Sequence, residues 1–405
     1  MLDSLKVKNF RMLADLEIPK LGNVNLIVGK NNSGKSSLLE ALRIYATKGN
    51  PRALQEIANS HGELALLVPR SDGETEEVSA LPFRDFFSGR EFPAEDTSPG
   101  IYIGNVGETD FVRINHALYV DEYEKISTED GEETSRKRRR MISKDDLGSD
   151  ALVAEQALAV SLSDVPHLGW IPLSEVLSSS GTRRQAALIF WERFAKEIPV
   201  SVVPTHFLSI DYLAQLWDSI LFSPYADEVK ASLKILDDDF EDLAFVKTGI
   251  EEYRNDRIYR LSRFRVPYSD RTAVVKLRSS STSIPLSSMG DGMLRVLQLA
   301  LTVFPSKGGV LLIDEFENGL HWSVQEKIWE MIFTLANDLE IQVFATTHSE
   351  DAVKAFSKVA SERPEVGVLV KLVSKKLPEG RDKTIGVIYD EATLKTATMT
   401  ETEVR

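Results

Sequence analysis

The eight residues Gly29-Lys30-Asn31-Asn32-Ser33-Gly34-Lys35-Ser36 constrain the fold more than any other stretch of this chain. They match the spacing G-x-x-x-x-G-K-[ST] at every fixed position. An apolar run, Val24 to Val28, enters the stretch, and Leu38, Leu39, Leu42 and Tyr45 follow it at helical spacing. Strand, glycine loop and helix are the context in which this spacing holds phosphate. Gly29 and Gly34 let the backbone curl around oxygens. The loop amides and the positive end of the following helix stabilise an anion. Lys35 would bring charge to the β- and γ-phosphates, and the Ser36 hydroxyl would be a ligand for Mg²⁺. The helix is expected to stop near Gly49-Asn50-Pro51, a cluster of breakers.

Three later motifs acquire meaning beside that loop. Leu311-Leu312-Ile313-Asp314-Glu315 is an apolar strand ending in two carboxylates. Asp314 would hold Mg²⁺ through water, and Glu315 would act as general base on an attacking water. Leu286-Ser287-Ser288-Met289-Gly290-Asp291-Gly292 precedes a helix marked by Met293, Val296, Leu297 and Ala300. Its hydroxyl and bare amides make a second anion site at a helix start, against the plainer reading of a capped helix. Thr346-Thr347-His348-Ser349 closes the next apolar strand, so His348 stands one helix and one strand beyond Glu315, placed to sense a γ-phosphate. The other histidines show no metal-ligand spacing.

Composition narrows the class. The 405 residues carry 48 Lys+Arg against 62 Asp+Glu, a net charge of −14, which argues against coating nucleic acid by bulk charge. There is no cysteine, so disulfides and thiolate chemistry are excluded. No apolar run reaches the roughly 18 residues of a membrane span, and the start resembles no signal peptide. A soluble, cytoplasmic protein is expected.

The ends of the chain differ from its middle. Residues 1–50 and 271–405 read as alternating strands and helices, with strands at Gly309–Asp314, Ile341–Thr346, Val366–Val373 and Thr384–Tyr389. Residues 51–270 read as an inserted lobe, loose and β-rich to about 180 and helical from about 181 to 246. Phe111–Ile114 and Ala117–Val120 look like hairpin strands. An acidic run from Asp121 turns into Arg136-Lys137-Arg138-Arg139-Arg140, expected either as a solvated loop or as a contact for DNA phosphates or an acidic partner.

The set GKNNSGKSS, LSSMGDGM, LLIDEFENGLH and ATTHS, in that order, resembles the ABC-type ATPases. It is most similar to the OLD-family and AAA15-type branch, related to RecF and SMC proteins, and covers roughly residues 1–45 and 270–373. The resemblance implies an α/β fold: an ABC-type P-loop ATPase domain assembled from both chain ends, with a large mixed α+β, partly helical insertion. It implies ATP and Mg²⁺ as ligands. Gly29, Asn31, Asn32, Ser33, Gly34, Lys35, Ser36 and Ser37 would bind nucleotide, with Arg11 nearby. Ser36 and Asp314 would hold the metal, and Lys35, Glu315 and His348 would carry catalysis. Ser288, Gly290 and Asp291 of a second copy would close over the nucleotide, so the implied assembly is an ATP-dependent homodimer or higher oligomer.

The segment Glu317-Asn318-Gly319-Leu320-His321 ends in His where transporters have Asp, which weakens a transport reading. OLD nucleases carry a Toprim domain, whereas no glutamate with a following Asp-x-Asp set stands after His348. The expected partner is therefore a separate effector chain, Toprim-type or other, in an antiviral defence or DNA-associated complex. Two further readings stay open: a stand-alone DNA-repair-type ATPase that binds nucleic acid through the insert, and a scaffold that binds ATP without hydrolysing it.

Overall fold

The structure, a computed structural model, describes residues 1–63, 66–69, 75–78, 83–93, 100–127, 133–142, 154–166, 168–176, 191, 193–247, 271–363, 366–376 and 382–389. Strands and helices are numbered along the chain. The central sheet has the order β11 (Val200–Val203), β15 (Val310–Ile313), β16 (Gln342–Thr347), β3 (Val24–Gly29), β17 (Gly367–Lys376) and β18 (Asp382–Tyr389). Pairing is parallel from β11 to β17, and β18 closes the edge antiparallel. Every residue of β3, β15 and β16 is buried, as expected for apolar strands covered on both faces.

One face is covered by helix α1 (Lys35–Ala46) and an antiparallel sheet. That sheet runs β10 (Gly169–Pro172), β9 (Glu155–Leu162), β7 (Phe111–Ser127), β6 (Ile101–Gly104), β1 (Leu5–Phe10) and β2 (Leu13–Ile18), with β8 (Glu133–Ile142) also on β7. Leu5, Val7 and Phe10 of β1, Leu38 and Leu42 of α1, and Leu312 and Phe344 of the central sheet share one core, and α1 contacts both sheets, so it lies between them. Alternation in β1 and helical spacing in α1 are the sequence patterns that produce this layer.

The other face is covered by α6 (Asp291–Val303), α7 (Trp322–Asp338) and α8 (Glu350–Ser361). Helices α4 (Ile210–Ile220) and α5 (Tyr225–Lys234) join this core, with a small sheet of β12 (Phe240–Lys247), β13 (Arg271–Leu277) and β14 (Ile284–Pro285). The remaining elements are α2 (Pro51–Ser60), α3 (Leu173–Val176) and the ladder β4 (Leu66–Pro69) with β5 (Thr75–Val78). The chain is therefore α/β, as expected. Among the described residues no helix is long and apolar enough to cross a membrane.

Several details differ from the expectation. Val200–Val203, from the stretch read as insert, is a strand of the central sheet, parallel to β15. At four residues it is too short to stand out by periodicity. Phe111–Ile114 and Ala117–Val120 are parts of one strand, β7, not separate hairpin strands. The basic run is not a loop. It lies in β8, in register with the acidic run, so Asp121 stands opposite Arg139, Glu122 opposite Arg138 and Glu124 opposite Arg136. Arg140 ion-pairs with Glu122 at 2.6 Å. The helical spacing expected at Ala187 and Phe190 lies outside the described residues.

Trp329 anchors the face that carries α7. It is fully buried, stacks on Phe316 at 3.9 Å and meets Phe333 and Phe356 edge-on. Trp329→Ala is expected to lower stability by about 3–5 kcal/mol, read as a fall in the urea midpoint with an unchanged slope. A loss under about 1 kcal/mol would show that the site collapses freely.

Candidate functional site

Strands β15, β16 and β3 are neighbours and parallel, so the segments that leave them emerge on one edge of the sheet. Those segments carry Asp314 and Glu315, His348, and the loop from Lys30 to Gly34.

The loop's shape follows from its glycines. Gly34 has φ +96°, and a Cβ there would stand 2.8 Å from Leu13 Cδ2. A side chain is strained in that conformation and crowded in that space. A Cβ on Gly29 would meet Ser33 Oγ at 2.6 Å and the Leu372 carbonyl at 2.8 Å. Helix α1 starts without a side-chain cap and without an acidic residue in its first turn, whereas α8 has both Ser349 as cap and Glu350 and Asp351 beside it. The first amides of α1 thus have no intrahelical partner and keep their positive end uncompensated. Asn31, Asn32 and Ser36 are exposed at the loop, while Ser33 and Ser37 are buried. The buried Ser33 Oγ has no hydrogen-bond partner among the described residues.

Lys35 is buried and crosses the loop, donating to the carbonyl oxygens of Gly29 at 2.8 Å and Lys30 at 3.1 Å. Burial holds its ammonium below the ordinary lysine value, and the charges of Asp314, Glu315 and Glu317 offset part of that shift.

The strand end after β15 is held from both sides. Asp314 accepts from Thr346 Oγ1 at 2.7 Å and from Thr205 Oγ1 at 3.1 Å. The same Thr346 hydroxyl accepts the Glu315 N–H at 2.9 Å. Glu315 has φ +47°, in the left-handed region, and its carboxylate lies 3.9 Å from His348 Nε2. Glu317 accepts from Thr347 Oγ1 and from the His348 N–H, both at 2.7 Å, and so fixes the segment that carries the imidazole.

The structure thus brings Lys35, Asp314, Glu315 and His348 together. It does not join all the other expected residues to them. Ser288, Gly290 and Asp291 are exposed at the start of α6, and among the described residues no hydrogen bond or ion pair links them to the phosphate loop. The Arg11 guanidinium turns to carboxylates: it pairs with Glu63 at 2.6 Å and with Glu40 at 2.6 Å. Glu40 also meets His61, whose pKa that hydrogen bond raises. Arg11 therefore braces α1 rather than facing an open loop.

Sequence reasoning missed Arg295, Glu317, Thr205 and the role of Thr346. Arg295 was detectable as the one charge inside the apolar run from Met293 to Val303. Thr205 carries no such signal.

Parts of the chain match known ATPase-domain families. A family model described as an AAA ATPase domain matches residues 1–98. A second, described as "AAA domain, putative AbiEii toxin, Type IV TA system", matches residues 217–353. A Helicobacter pylori protein named "ATP/GTP phosphatase" is 23% identical over 371 residues, covering 90% of this chain and 89% of that one. A Methanocaldococcus jannaschii protein, "Uncharacterized protein MJECL10", is 47% identical over 45 residues, 11% of this chain and 20% of that one. Among solved structures, an SMC head bound to the C-terminal winged-helix domain of ScpA is 13% identical with a TM-score of 0.48, covering 96% of this chain and 98% of that one. The Thermotoga maritima SMC head domain is 11% identical with a TM-score of 0.41, covering 95% of this chain and 98% of that one.

Thr346 is both donor to Asp314 and acceptor for Glu315. Thr346→Val keeps the shape and removes both bonds, and is expected to cost about 1–3 kcal/mol. Thr346→Ser keeps the hydroxyl and should recover most of that loss in chemical denaturation. Equal melting of both variants with the parent would show that the hydroxyl is dispensable.

Proposed function

We propose that this chain binds ATP on the loop from Gly29 to Ser36 and hydrolyses it, as a switch that closes in pairs around the nucleotide. The observation that carries the reading is the convergence of Lys35, Asp314, Glu315 and His348 on one edge of the parallel sheet. The ATPase-domain matches and the name of the Helicobacter pylori relative support it.

The loop fits a triphosphate. A Cβ on Gly29 would crowd Ser33 Oγ within the loop, one on Gly34 would crowd Leu13 behind it, and the buried Ser33 Oγ has no partner among the described residues. Lys35 and the amides of the loop and of α1, including those of Asn31, Asn32, Ser33, Ser36 and Ser37, would hold the phosphate oxygens. The Ser36 hydroxyl and the Asp314 carboxylate suit Mg²⁺, Asp314 retaining free lone pairs beside its two accepted bonds. Bound there, Mg²⁺ would neutralise charge on the β- and γ-phosphates. Glu315 would take the proton of the attacking water, and His348 beside it would contact the γ-phosphate and help orient that water. Ser288, Gly290 and Asp291, exposed at the start of α6, would meet the γ-phosphate of a second copy. Hydrolysis would then release the pair.

The wider role we propose is the ATPase component of a defence or DNA-associated complex that acts with a separate effector chain. The place of the basic run in strand β8, with Arg140 paired to Glu122, favours this over DNA binding through the insert.

Lys35→Ala is expected to abolish binding of a fluorescent ATP analogue. Glu315→Gln should bind it unchanged while turnover falls roughly 10²- to 10⁴-fold, and native mass spectrometry with ATP and Mg²⁺ should show a trapped dimer. Turnover by Glu315→Gln at the parent rate would leave the scaffold reading in place.

A second expectation concerns protons. Burial holds Lys35 below its ordinary value of 10.5, and the negative charge of a bound triphosphate would raise it again. Binding therefore takes up a proton between those two pKa values, and affinity falls as pH rises through that window. Well above its pKa, near 6, the terminal phosphate is already ionised. Calorimetry of the parent protein there, in buffers of different ionisation enthalpy, should show a net proton uptake that grows as pH rises toward the ordinary lysine value. Equal heats in both buffers would contradict the linkage.

A further inference from the structure

Arg295 lies one turn into α6 and has no exposed surface. Among the described residues it makes no ion pair. Its terminal nitrogens donate to three backbone carbonyls, Nη1 to Pro204 at 2.7 Å, Nη2 to Asp314 at 2.8 Å and to Glu315 at 2.8 Å, while the buried Nε has no hydrogen-bond partner among the described residues. Burial pushes the guanidinium down to about 10, against the pull of Asp314, Glu317 and Glu315. A buried cation without a direct carboxylate partner is costly, and packing alone would be served by Leu or Met.

The three carbonyls are where that cost is offset. The Asp314 carbonyl belongs to the peptide before Glu315, and the Glu315 carbonyl to the peptide after it. Arg295 holds both, and Thr346 holds the N–H between them. With both flanking peptide planes fixed, the left-handed backbone of Glu315 is fixed too, and with it the direction of its Cα–Cβ bond toward His348. The same helix turn presses on the loop beyond: a Cβ on Gly292 would stand 3.0 Å from the Gly319 carbonyl.

We infer that Arg295 is a positioning residue that holds the Glu315 carboxylate in its hydrolytic orientation and ties that orientation to the start of α6. The inference rests on the reading of Glu315 as general base. It predicts that any ligand drawing on Gly290 or Ser288 acts on hydrolysis through this guanidinium.

The test uses Arg295→Lys and the neutral Arg295→Gln, with folding checked by thermal melting. Either folded variant should bind the ATP analogue within a few-fold of the parent with KM little changed. Its kcat should fall roughly 100-fold, the effect of a misplacement of about 1 Å. In single-turnover experiments the same substitution in a Glu315→Gln background should add almost nothing, because both changes remove one function. A folded variant with parental kcat, or losses that multiply in the double variant, overturns the inference. If the parent and Glu315→Gln turn over alike, the general-base reading fails and takes this inference with it. If Glu315→Gln is inactive while the Arg295 variants are not, only the inference about Arg295 fails.

Discussion

Parallel pairing among β15, β16 and β3 is the constraint on which the rest of the structure depends. Thr347 is in register with Val28, and Ala345 with Ile313. That register sets the start of the phosphate loop level with His348, and Asp314 level with Thr346. A slip of one residue would turn every side chain of a strand to the other face and separate these groups. Both faces of the three strands are buried, so the apolar pattern alone does not set this register, and the bonds of Thr346 to Asp314 and Glu315 and of Asn25 to the Val343 carbonyl pin it.

The site concentrates carboxylates beside buried cations, and the way each is held follows from its task. Asp314 and Glu317 accept from hydroxyls and an amide, which fix them without neutralising them. Glu315 is fixed through its backbone instead, and its carboxylate stays open to the edge of the sheet. Among the described residues Lys35 is held by two carbonyls, neutral partners that an anion can displace. Rigid supports and one carboxylate left open are what the proposed hydrolysis would require of a preorganised site.

Much of this was legible in the amino-acid pattern. Glycine spacing located the phosphate loop, and apolar runs ending in Asp314-Glu315 and in His348 located the strand ends. These are local signals, because each combines strand, loop and chemistry within a few residues. Long-range pairings were not legible. Val200–Val203 looks like any short apolar piece until β15 lies beside it. The partners of Arg11, two carboxylates on different elements, are set by tertiary packing. Arg295 carried a signal, a charge in an apolar helix, whose meaning depends on carbonyls from two distant strand ends.

Strand β3 has a further consequence for how the molecule is made. Its neighbours in the sheet are β16 and β17, and the hydrogen bond from Asn25 to the Val343 carbonyl spans 318 residues. During synthesis the phosphate-loop strand leaves the ribosome with neither neighbour yet made. Helix α1 must wait against β1 and β2, its apolar face only partly covered. Contacts of such separation form late and slowly. Nucleotide therefore cannot serve as a template for early folding here: its loop acquires its shape only when nearly the whole chain has emerged.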